Sequence, residues 1–313
     1  MNGSSFLFKI GLVALLTSVN LCATAQQSTA KEPARESLPQ SPDEPVASPS
    51  LAAAEAGIRA QLSKTPASPD LLYRLALVQR QENKPKESLD TYTRAATLRK
   101  PTAAELRSVA LDYVLIGDFD DAVRWLKVAL TFEPRNVEVL YSLGRCLYTQ
   151  NLFAEAETAY SRILQIDPDH LKAEENLGLT YDGENKPEKA EQALRVAVAL
   201  ADKQTKPEEW PYLDLGVFLQ DQSRVQEALP LLRKAASIDP NSAVCRTRLG
   251  RALIATGEVA GGLKELQAAA ALDPKSPKIH FELGHAYRDA GDLEHARSEF
   301  ALSKSLYGEH SQN

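Results

Sequence analysis

The chain has 313 residues, 43% of them hydrophobic, and a formal net charge of −6 at pH 7. That is enough apolar material for a sizeable core. Acidic and basic residues are interspersed, which excludes a phosphate-tracking basic stripe or a bilayer-binding face, so no nucleic-acid partner is expected.

Lys9 and the α-amine make a positive start, Ile10 to Val19 is an apolar run broken by Thr17 and Ser18, and Ala23-Thr24-Ala25 offers small residues for cleavage before Gln26. Residues 1–25 read as a secretory signal peptide, because a membrane span needs about 20 apolar residues and this run is shorter. A periplasmic or secreted location follows. Two alternatives stay open: an uncleaved N-terminal anchor, or lipidation of Cys22, although Leu21 fills a slot where lipid attachment wants a small residue. Membrane contact is expected only through such an anchor.

Residues 26–50 hold Pro33, Pro39, Pro42, Pro45 and Pro49 among Ser, Glu, Gln and Ala, with Leu38 and Val46 as the large aliphatics. No core can form from them, and they read as an extended, disordered tether. Residues 51–66 follow as one helix, with Ala54, Ile58 and Pro66 in register with what comes next, and are expected to cap the N-terminal end.

From Pro69 to Gly308 the sequence repeats every 34 residues, in seven units that start near Pro69, Ala103, Val137, Leu171, Glu209, Ala243 and Pro277. Large apolar residues at positions four, seven and eleven of each unit, such as Leu140, Leu143 and Leu147, make one stripe on a first helix. Position eight is Gly or Ala, and position twenty is small (Ser88, Ala122, Ala156, Ala190, Ala228, Gly262, Ala296), so paired helices can approach closely. Position 15 carries Asn83, Gly117, Asn151, Asn185, Ser223, Gly257 and Gly291, mostly residues that tolerate a left-handed helix C-cap. Pro134, Pro168, Pro240 and Pro274 stop second helices. The fourth unit is four residues too long, which puts an insertion at Asp202 to Pro207 and predicts a protruding loop or a lengthened helix there.

These columns, with Tyr113, Tyr181 and Tyr287 at position eleven and Tyr92, Tyr160 and Phe300 at position 24, resemble the tetratricopeptide repeat family. The resemblance implies an all-α solenoid over residues 67–308, about fourteen repeat helices wound into a right-handed superhelix, with 309–313 a polar tail. It also implies an inner groove lined by positions two, five, nine, twelve and thirteen of each first helix, where family members bind peptides of partner proteins. Carried over, those positions give Tyr73 and Arg80, Arg107, Tyr141, Arg145 and Tyr148, then Arg251, Phe281, His285 and Arg288. The carboxylate clamp of chaperone-binding members, Lys at position five and Asn at nine, is absent, since Arg107 and Leu111, then Tyr141 and Arg145, occupy those places.

Chemistry finds no foothold in the same sequence. It lacks a phosphate-binding glycine loop, a Gly-x-Ser-x-Gly elbow and a His-Glu-x-x-His helix. His280 and His285 are five apart, whereas helical metal ligands sit three or four apart, and His280 falls on an inward position. Cys146 and Cys245 are three repeats apart, too far for a disulfide, and read as small core residues. No catalytic residue, metal or cofactor is expected. The sequence describes a non-enzymatic scaffold or adaptor of the cell envelope for a protein or peptide partner; the alternatives are a recruiting subunit of an envelope enzyme complex and an assembly lipoprotein.

Overall fold

The structure, a computed structural model, describes residues 49–310. The expected signal peptide, nearly all of the expected tether and residues 311–313 lie outside the described residues. Within them the chain is helical throughout, with fifteen helices and no strand. They are α1 (Pro49–Leu62), α2 (Pro69–Gln81), α3 (Pro85–Leu98), α4 (Ala103–Leu115), α5 (Phe119–Phe132), α6 (Val137–Thr149) and α7 (Phe153–Ile166), followed by α8 (Leu171–Gly183) and α9 (Pro187–Ala201). The remainder are α10 (Trp210–Asp221), α11 (Val225–Ile238), α12 (Ala243–Ala255), α13 (Val259–Leu272), α14 (Pro277–Asp289) and α15 (Leu293–His310). Helix α1 begins two residues before the expected boundary, with Pro49 in its first turn, where a missing N–H has no ladder partner to lose.

The helix ends follow from named side chains. Ser68, Asp118, Asn136 and Ser242 each accept the backbone N–H three residues on, and Thr102 and Glu105 form a reciprocal capping box. All seven position-15 residues have positive φ, from 57° at Asn185 to 89° at Gly257, so each first helix ends in a left-handed turn that reverses the chain.

Close helix pairing depends on the glycine at position eight. A Cβ on Gly144 would stand 2.6 Å from the Tyr160 ring, and on Gly178, Gly216 and Gly284 it would strike Leu194, Leu232 and Phe300 at 2.7 Å. The residue at position 24 of the second helix thus lies across the bare backbone of the first. Leu140, Leu147, Tyr160 and Ile163 are fully buried around Gly144.

The helices form two compact units, one ending at Pro168 and the other starting at Asp169. In the first, α1 packs on α2, then α2 with α3, α4 with α5 and α6 with α7 make hairpins, while α4 also packs on α2 and α6. In the second, the hairpins are α8 with α9, α10 with α11, α12 with α13 and α14 with α15, and the first helices α8, α10, α12 and α14 again pack in succession. In each unit the successive second helices stand further apart than the first helices and meet through side chains, as where Lys127 of α5 reaches Glu155 of α7 at 3.0 Å. Within each unit the first helices are therefore the tightly apposed layer, and their outward faces line its inner side.

The insertion resolves into both expected forms. Helix α9 has 15 residues where α3, α5, α7, α11 and α13 have 14, and residues 202–206 then form an exposed loop. Tyr212 Oη donates to Asp202 Oδ1 at 2.7 Å, which ties the start of the loop to α10.

Candidate peptide-binding face

In the first unit the face is built on α6. Tyr141, Arg145 and Tyr148, four and three residues apart, lie half-buried along one side of that helix. The bare backbone at Gly144 lets Tyr160 lie across α6, and the Tyr160 ring meets Tyr141 edge to face with centroids 6.2 Å apart. The left-handed turn at Asn151 brings Phe153 back against Tyr148, again edge to face at 5.5 Å. Both half-buried rings are thus held by a second ring beside them. The Arg145 guanidinium carbon sits 5.9 Å from the Tyr141 centroid, within range of a cation–π contact.

Arg107 reaches this face from α4. Its Nε donates to Ser142 Oγ at 2.9 Å and its terminal nitrogen lies 3.4 Å from Glu138, and the side chain is only 19% exposed. Ser142 in turn donates to the Glu138 carbonyl. Arg107 therefore brings a guanidinium to α6 at Ser142, as an interhelical strut with part of its charge answered by Glu138. Glu138 stands at position two, a groove position, whereas Ser142 at position six does not, so the repeat pattern does not point to this anchoring.

Tyr73 does not belong to the face. It is 5% exposed, its hydroxyl donates to the Arg99 carbonyl at 2.8 Å, and the Arg99 guanidinium covers its ring at 4.3 Å. Burial pushes its hydroxyl pKa up to about 12. The expectation that it lines a groove is corrected: Arg99, the residue after α3, turns back over α2 and covers the Tyr73 ring from the outside. Arg80 is likewise buried.

In the second unit Arg251 stands on α12, and Phe281 and Arg288 stand on α14, which packs on it. Arg251 Nε is 3.5 Å from Glu282 of α14, beside Phe281. The Phe281 ring is 47% exposed and joins His285 and Phe300 in a three-ring cluster, with centroids 4.5, 5.7 and 5.1 Å apart. Arg288, one turn further on, is exposed and lies 3.1 Å from its neighbour Asp289. His280, by contrast, is buried, with one ring nitrogen 2.7 Å from Glu299 and the other 3.0 Å from the Pro274 carbonyl. Cys146 and Cys245 are buried free thiols, pushed up to about 12 and about 11 by burial.

What these faces can do is bind. Each sets rings held by packing beside a guanidinium, the side chains that concentrate energy in protein interfaces because a rigid ring buries area at small entropic cost. Among the described residues no three metal-ligating groups gather, and no helix is long and apolar enough to cross a membrane.

Comparison with known proteins bears on the repeat itself. Residues 117–173 and 219–271 match one tetratricopeptide repeat model and residues 247–305 match another. A tetratricopeptide repeat-containing protein of Caenorhabditis elegans, trd-1, is 25% identical over 171 residues, which are 52% of this chain and 22% of that protein, so the chain spans about a fifth of that relative's length. Among solved structures, a tetratricopeptide repeat protein from Parabacteroides merdae superposes with a TM-score of 0.62 at 19% identity, over 75% of this chain and 92% of that one. Yeast Tom70 does so with 0.61 at 18%, over 82% and 55%. Cut9, in its complex with Hcn1, gives 0.62 at 14%, over 82% and 50%. Residues 117–173, 219–271 and 247–305 thus match tetratricopeptide repeats, and the fold of the described residues is an all-helical solenoid like that of these structures.

Proposed function

We propose that this tetratricopeptide-repeat solenoid is a non-enzymatic scaffold of the cell envelope that holds a segment of a partner protein against its first-helix face. The observation that carries the reading is the α6 face, where Tyr141 and Tyr148 rest on Tyr160 and Phe153 while Arg145 and the strut Arg107 supply positive charge beside them. Such a surface fits a peptide that sets an acidic group or a C-terminal carboxylate beside an apolar side chain, the guanidinium taking the charge and the rings covering the apolar part. Export rests on the N-terminal sequence alone, and a mass spectrum of the mature chain separates a start at Gln26 from a lipidated Cys22.

The test is a crosslinking pull-down from envelope extract followed by titration of the captured partner. The double change Tyr141→Ala and Arg145→Ala is expected to weaken binding by about 2 kcal/mol or more, as truncation of an interface hot spot does, with the helical circular dichroism unchanged. Arg94→Ala, at an exposed site of α3 in the same unit, is the control. A double variant that captures its partner as well as the parent removes the α6 face from consideration.

A further inference from the structure

Asp112 stands at the tenth position of its first helix, a place the other repeats fill with Val78, Cys146, Thr180, Phe218, Ala252 and Ala286. It is fully buried, 0% exposed, at the junction of the first two repeats. A carboxyl group there is an anomaly in an otherwise uncharged column.

Its contacts say in which form it is held. Ser88 Oγ lies 2.8 Å from the Ala76 carbonyl oxygen and 2.6 Å from Asp112 Oδ2. Ser88 has one hydroxyl proton, and a carbonyl can only accept. If Ser88 donates to Ala76, the short contact to Asp112 is a hydrogen bond only when Asp112 supplies the proton. The opposite arrangement, Ser88 donating to an ionised Asp112, would leave two oxygens lone pair to lone pair at 2.8 Å. The chain of donors therefore runs from the Asp112 acid to Ser88 and on to the Ala76 carbonyl, joining α4 to α3 and α3 to α2.

A second observation supplies the other position of the switch. Asp112 Oδ1 and Arg80 Nε are each buried without a hydrogen-bond partner, and the Arg80 side chain is buried. The charge acting on Asp112 from its packed neighbours is that of Arg80, on α2; Tyr92 of α3 and Tyr113 of α4 are the titratable groups that feel its charge in return. Loss of water is the largest influence on Asp112 and raises its pKa to about 7, with the Arg80 charge acting in the other direction.

We propose that Asp112 is a proton-operated latch between the first two repeats, donating to Ser88 when its carboxyl carries the proton and turning to the Arg80 guanidinium when it does not. The folded chain holds this proton between about pH 4, where the carboxyl ionises in an unfolded chain, and about pH 7. The folded state thus binds more protons in that window, so the latch loses stability as pH rises through it and changes no further above it. This inference stands apart from the peptide-binding reading and needs no partner to test.

The experiment is infrared difference spectroscopy of the full chain, with Asp112→Asn as the isosteric neutral variant. The parent should show a protonated-carboxyl stretch that survives at about pH 6 and vanishes by about pH 8, and D112N should lack it. In thermal melts, D112N should gain on the parent as pH rises from about 4 to about 7 and no further above it, since Asn cannot ionise. If D112N does not fold, Ser88→Ala keeps the acid and removes its acceptor, at a position where five other repeats carry Ala, and the band should move to that of an unbonded acid. No protonated carboxyl in the parent above about pH 5, melts of D112N parallel to the parent at every pH, or a band unmoved in S88A would overturn the latch.

Discussion

Gly262→Ala should destabilise the chain although it places the best helix former in a helix. Gly262 lies inside α13, and a Cβ there would stand 2.5 Å from Ile254 Cγ1 and 2.7 Å from the Gly250 carbonyl oxygen. Ile254 could turn aside; the Gly250 oxygen belongs to the backbone of α12 and cannot. Gly250 meets the same limit from the other side, since its own Cβ would lie 3.0 Å from the Gly262 oxygen. Helices α12 and α13 thus touch backbone to backbone, and a methyl group must push them apart. Overpacking of this kind costs about 1–3 kcal/mol, partly offset by about 1 kcal/mol of helix propensity. The adjacent Gly261 isolates the second effect, because its Cβ would meet only Leu253 Cδ1, at an ordinary 3.7 Å. Gly261→Ala should therefore stabilise by up to about 1 kcal/mol, and the two variants should move in opposite directions. Urea unfolding followed by circular dichroism reads the sign, and hydrogen exchange should place the damage in α12–α14 first. Two shifts of the same sign, or a Gly262→Ala chain as stable as its parent, would refute the close-approach argument.

Asn151→Val should cost about 1–2 kcal/mol, because a β-branched residue must adopt the left-handed φ of 58°, while Asn151→Gly should be neutral or mildly stabilising; chemical denaturation of both checks this. Cys146 and Cys245 should resist a thiol reagent at pH 8 in the native chain and react fully in urea, since their thiols are buried and held well above the usual range. Limited trypsin digestion should cut inside the repeats first after Lys203, in the exposed loop between α9 and α10. Initial cutting at the inter-helix turns would mean that the loop is better protected than they are.

The repeat was legible because each of its columns answers one local demand. The left-handed turns at Asn83, Asn151, Asn185 and Ser223, and the glycines lying under Tyr160, Leu194, Leu232, Leu266 and Phe300, are dictated by steric limits a sequence displays directly. The α6 face was also legible, since spacing alone puts Tyr141, Arg145 and Tyr148 on one side of a helix. Tyr73 was misplaced because its fate depends on Arg99, a residue past the end of α3 whose guanidinium folds back over it. Lys84 reads as a solvated turn residue, yet its Nζ reaches Glu55 of α1 at 3.1 Å and Glu82 at 2.6 Å. Arg99 lies past the end of α3 and Glu55 lies before the first repeat, so neither stands in a column that the repeat pattern constrains. Asp112 is the reverse case: its departure from an apolar column is visible in the sequence, but its hydrogen-bond chain is visible only in three dimensions.

Site-specific photocrosslinking tests the central claim most directly. A photoreactive phenylalanine analogue placed at Tyr148, on the first-helix face, is compared with the same group at Thr158, beside the furrow between α5 and α7 that Leu130, Leu147 and Ala159 line. The scaffold account predicts that a partner captured from envelope extract crosslinks from position 148 and not from 158. Crosslinks from 158 with none from 148 would contradict it and move the binding surface to the second-helix side.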